Sequence, residues 1–76
     1  MEFTKNTKGI RLYEEGKTKK YLKAIGGYDR LLSTGKYYEL VKIIKHDAYS
    51  TGVGVVIVNN IGETYSFDSS YFEAKK

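Results

Sequence analysis

The residues able to do covalent chemistry are few. His46, the single histidine, stands beside Asp47, with Ser50 close behind. A Ser-His-Asp site needs nucleophile, base and orienting carboxylate held in one geometry. Neighbours on a polar segment splay their side chains, and no apolar residues wall this stretch off from water. His46 therefore reads as a surface histidine. The carboxylates Asp29, Asp47, Glu63 and Asp68 lack the spacing of a calcium loop. Glu14 and Glu15 are adjacent, so on a strand they point to opposite faces and cannot converge as an acid–base pair. Cysteine is absent, which removes thiolate zinc sites and disulfides together. Gly16-Lys17-Thr18 ends like a phosphate-binding loop, but Arg11 stands where the earlier glycine belongs and a strand follows. The expectation is a protein without catalytic residues, metal or cofactor.

What remains is recognition chemistry. Lys17, Lys19, Lys20 and Lys23 surround Tyr21, and Tyr28 lies just beyond. On a strand, Lys17, Lys19, Tyr21 and Lys23 share one face while Leu22 and Ala24 enter the core. Cationic side chains around an aromatic ring suit single-stranded nucleic acid, where stacking contributes about 1–3 kcal/mol per base. The same residues suit an acidic protein surface, because tyrosine is enriched at interfaces. Tyr37 and Tyr49, on faces expected to be exposed, extend that option. A third reading assigns the lysines no ligand: on an edge strand they would discourage sheet-to-sheet pairing.

Length and composition set the frame for these side chains. A chain of 76 residues buries roughly 60% of its unfolded surface, which leaves little core to spare for an enclosed substrate pocket. One domain spanning 1–76 is expected. Eight tyrosines, three phenylalanines and no proline favour a pleated, half-buried architecture. Charge is uneven. Residues 1–45 carry eleven basic and five acidic side chains, a balance of +6, and residues 46–76 carry two and four, a balance of −2. Such polarity can steer an acidic partner. No apolar run suits a membrane span or a secretion signal. With the lack of cysteine, a cytoplasmic location without membrane contact is expected.

The elements follow from alternation and turns. Residues 1–8 are polar and expected to fray. Ile10 and Leu12 alternate with Arg11 as in a strand with one wet face, and Gly16 marks a turn. Residues 18–25 form a second strand, and residues 28–35 a loop or a single helical turn closed by Gly35. Residues 36–45 form a third strand whose phase blurs from Val41 to Ile44, which predicts a bulge or burial on both faces. After an exposed loop, Val53 to Val58 is the strongest strand. The Asn59-Asn60-Ile61-Gly62-Glu63 turn leads to a return strand carrying Tyr65 and Phe67. Should the Val53–Val58 strand lie at an edge, it would offer a homodimer contact.

This succession is mostly β and resembles the small SH3-like barrel proteins of bacteria and their phages. The resemblance covers about residues 20–73. It rests on Tyr21-Leu22-Lys23-Ala24-Ile25, on Leu32-Ser33-Thr34-Gly35-Lys36-Tyr37-Tyr38-Glu39-Leu40, on Val56-Ile57-Val58-Asn59-Asn60-Ile61-Gly62-Glu63, and on Tyr65-Ser66-Phe67-Asp68-Ser69-Ser70-Tyr71-Phe72-Glu73. It implies a barrel of about five strands with one short helical turn, residues 9–19 being an extension able to add a strand. It also implies a phage- or mobile-element-type protein that docks on a host protein and modulates it; the alternative partner, nucleic acid, rests on the Lys/Tyr face and not on the resemblance. Tryptophan is absent, which argues against a groove for proline-rich peptides.

Overall fold

The computed structural model describes residues 2–4, 9–16 and 19–74. It is a six-stranded antiparallel meander: β1 (Glu2–Thr4), β2 (Leu12–Glu15), β3 (Lys19–Lys23), β4 (Tyr37–Lys45), β5 (Val53–Val58) and β6 (Thr64–Asp68). Each strand pairs with its neighbours in sequence. Residues 2–4 fall within the lead expected to fray and instead pair with β2. The remainder of residues 1–8 lies outside the described residues.

The period-2 pattern decides which side is core. Leu12 pairs with Leu22, and Leu22 with Tyr38, so the three share one face, and all are buried. Val55 and Ile57 supply the core side of β5, and Phe67 that of β6. Ile10, Ala24, Leu32 and Phe72 complete the core from outside the strands.

In β4 the register shifts between Leu40 and Lys42. This is the expected bulge. The alternative, burial on both faces, does not hold, because Val41 is 50% exposed and Ile43 39%. Tyr28–Gly35 is a loop in which Tyr28 bridges Leu32. Gly35 adopts φ +85°, a conformation glycine reaches without steric cost.

β6 runs into a 3₁₀ turn, η1 (Ser69–Tyr71), capped by the Asp68 side chain, which accepts from Ser70 N. The chain then returns alongside the lead into β2 and the end of β3. Phe72 bridges Ala24 and Ala74 bridges Ile10. Arg11 N donates to Glu73 O, and Glu73 N to Lys23 O, both at 2.9 Å. Residues 72–74 are thereby stitched between the lead into β2 and the end of β3, while β1 and β6 stay unpaired with each other.

Two sequence expectations are corrected by strand order. β3, with its lysines, lies between β2 and β4, so the lysines do not guard an edge. β5 lies between β4 and β6, so Val53–Val58 cannot pair across a dimer axis.

Candidate functional site

Opposite the core, the outer face of β2, β3 and β4 gathers tyrosines. Tyr13, Tyr21 and Glu39 stand in one cross-strand row, and Lys23 stands opposite Tyr37. Strand alternation adds Lys19 and Arg11 to the same side. The Tyr13 and Tyr37 rings meet edge to face, with centroids 5.0 Å apart and planes at 85°. Such a pair contributes about 0.5–1.5 kcal/mol beyond area burial.

Glu73 reaches this face from the returning C-terminal segment. Its Oε2 accepts a short hydrogen bond from the Tyr13 hydroxyl and lies 3.7 Å from Arg11 Nε. Burial, then the Glu73 hydrogen bond and charge, push the Tyr13 phenol up to about 12. Deprotonating it would desolvate one anion beside another. The resulting surface has Tyr37 39% exposed and Lys19 exposed, with Tyr13, Tyr21, Lys23 and Glu39 half-buried. Charges of both signs are interspersed among the rings.

The sequence-predicted residues divide. Lys19, Tyr21, Lys23 and Tyr37 come together on this face. Lys17 lies outside the described residues. Lys20 alternates away from Tyr21, toward the Leu22 side, and pairs with Glu14, so it does not belong to the face.

Tyr28 joins a different group. Its ring stands edge-on to Phe67 at 5.7 Å and to Tyr71 at 6.2 Å, and Tyr65 packs on Phe67 at 5.1 Å. Tyr28 and Tyr65 are each 45% exposed.

Tyr49 is not the free surface ring expected. It lies over Gly54, where a Cβ would come within 2.2 Å of Tyr49 Cζ, and it is half-buried. Gly54 interrupts a β-branched strand because that space is occupied.

Tyr13, Arg11 and Glu73 were missed as site residues. Alternation from Leu12 puts Tyr13 beside Arg11 on the wet face, so that signal was present. Glu73 is 60 residues from Tyr13, and no local pattern joins them.

His46 is exposed, and its Nδ1 accepts from Ala48 N at 3.0 Å within its own turn. Among the described residues no group of three or more His, Cys, Asp or Glu side chains could hold a metal ion. No described helix is long and apolar enough to cross a membrane. Compared with known protein families, curated proteins and solved structures, the chain matches none.

Proposed function

We propose that this chain is a non-catalytic binding protein that docks on another protein through the outer face of β2–β4. The carrying observation is the Tyr13–Tyr37 pair beside Tyr21, set among Arg11, Lys19 and Lys23 on one side of the charge balance and Glu39 and Glu73 on the other. Nucleic acid calls for an uninterrupted positive track with ring faces open to stacking. Here the two rings pack edge to face, and Glu73 holds both Arg11 and the Tyr13 hydroxyl. Mixed charge around amphipathic rings is the composition of a protein interface.

We further propose that the scaffold is a small SH3-like barrel. The stitch of residues 72–74 between Ile10 and Ala24, directly after a 3₁₀ turn, supports closure of the meander into that form. The host-modulating, phage-type role in the cytoplasm rests on the resemblance of residues 20–73 and on the lack of cysteine.

The test is capture from bacterial lysate with the tagged full chain, run with and without nuclease. A stoichiometric protein that survives nuclease and is lost when Tyr21→Ser is combined with Lys23→Glu supports the reading. Capture of nucleic acid alone, or none, removes it. The alternative, single-stranded nucleic acid on the same face, is favoured by Lys19 and Lys23 flanking Tyr21.

A further inference from the structure

β6 ends the strand order and has a neighbour only in β5. Asn59 N donates to Glu63 O at 2.8 Å, so the hairpin closes on a hydrogen-bonded pair. In an antiparallel ladder such pairs alternate with non-bonded ones. Tyr65 and Phe67 therefore aim their backbone groups at Ile57 and Val55, while Thr64 and Ser66 aim theirs away from the sheet. Among the described residues, no backbone hydrogen bond outside the strand ladder reaches Thr64 or Ser66.

Natural edges are blunted by lysine, proline or a bulge. β6 reads Thr-Tyr-Ser-Phe-Asp and keeps register with β5 over all its 5 residues. It carries none of these devices. The lysines that could guard an edge sit on interior β3 instead.

Charge selects the occupant. From His46 to Ala74 there is no Lys or Arg, while Asp47, Glu63, Asp68 and Glu73 are acidic. Exposed Glu63 precedes β6 and Asp68 ends it. A second copy laid antiparallel along this edge would bring a second acidic set against the first. A basic strand meets no such repulsion, and half-exposed Tyr65 offers its ring to aliphatic stems and cationic heads.

We propose that the β6 edge accepts an extended, lysine- or arginine-rich peptide segment as an added antiparallel strand. Its backbone pairs with Thr64 and Ser66, and its basic side chains lie across Tyr65 toward Glu63, which strand alternation places on the same face. This edge is distinct from the tyrosine face, so Tyr37→Ser leaves peptide binding unchanged and separates the two proposals.

The probe is a capped seven-residue peptide of alternating lysine and valine, added to the full chain while amide hydrogen exchange is followed. At saturation, exchange at Thr64 and Ser66 slows by roughly tenfold or more, since free edge amides become ladder amides. Ser66→Pro abolishes the effect by removing the outward N–H while sparing the β5 ladder. The same peptide N-methylated throughout gives no protection, which decides the matter even where the proline variant does not fold. The proposal is overturned by no protection, or by equal protection from an alternating glutamate–valine or an N-methylated peptide. Protection that rises with protein concentration alone also overturns it, in favour of a second copy.

Discussion

The Tyr38 hydroxyl donates to Asn60 Oδ1 at 2.8 Å, tying the start of β4 to the tip of the β5–β6 hairpin. The same Oδ1 accepts from Lys36 Nζ at 2.9 Å. Asn60 Nδ2 donates to Arg30 O and Ser33 Oγ, its backbone N donates to Leu31 O, and Ser33 N donates back to Tyr38 Oη at 2.7 Å. One amide thus fixes the loop over residues 30–33. Asn60→Ala is expected to cost about 2–3 kcal/mol and Tyr38→Phe about 1 kcal/mol. Because both belong to one network, the double variant costs less than their sum. Urea unfolding of the four proteins reads this directly, and strict additivity would refute the coupling.

Gly54→Ala tests the seat of Tyr49. A methyl group there collides with the ring, so Tyr49 must leave, and the expected loss is about 1–2 kcal/mol. In a Tyr49→Ala background the same change is neutral or stabilising, because a strand interior disfavours glycine. A sign that does not depend on Tyr49 would exclude the packing explanation.

Asp68 couples stability to acid. The Ser70 hydrogen bonds, with help from Thr51, hold its carboxyl below the ordinary carboxylate value. Its folded pKa is lower than its unfolded one, so its stabilisation is present above the unfolded pKa and fades as pH falls through the folded one. Asp68→Asn should flatten part of the stability loss as pH falls through and below the ordinary carboxylate range. Thermal unfolding across that range measures the difference, and parallel curves would show that Asp68 is not a source.

Alkali acts in the opposite sense at Tyr13. Its pKa is raised to about 12 on folding, so the stabilisation is complete below the ordinary phenol value and is lost as pH climbs through the folded one. Tyrosinate absorbance should show a late phase from Tyr13, above the ordinary phenol value. Glu73→Gln should bring that phase to lower pH. An unchanged late phase in that variant would assign it to another tyrosine.

Should single-stranded nucleic acid be the partner, salt gives the signature. Each of Lys19 and Lys23 replaced by glutamine should reduce the slope of log affinity against log salt by about 0.7. An oligonucleotide affinity insensitive to both changes would place any binding elsewhere.

Strand positions were legible because burial leaves a period-2 trace. Leu12, Leu22, Tyr38, Val55 and Ile57 all fall where alternation puts them. Strand order left no such trace. Lysines on β3 look the same in sequence whether that strand is an edge or an interior one, and β-branched β5 carries no mark of its two neighbours. The site was half legible for the same reason. Lys19, Tyr21 and Lys23 share a face by parity, and Tyr37 joins them through register, which is a tertiary fact. Glu73 and the Tyr49–Gly54 contact depend on where loops and the chain's return path come to rest, and residue spacing does not encode that.

The return of residues 72–74 also orders events in time. Contacts within each hairpin close short loops, whereas the bridge from Ala74 to Ile10 closes nearly the whole described polypeptide and carries the largest entropic penalty. During synthesis, β1 to β6 can zip up behind one another as they emerge from the ribosome. The seam waits until Ala74 is clear, and until then the core lacks Phe72 and the bridges that residues 72–74 make to Ala24 and Ile10.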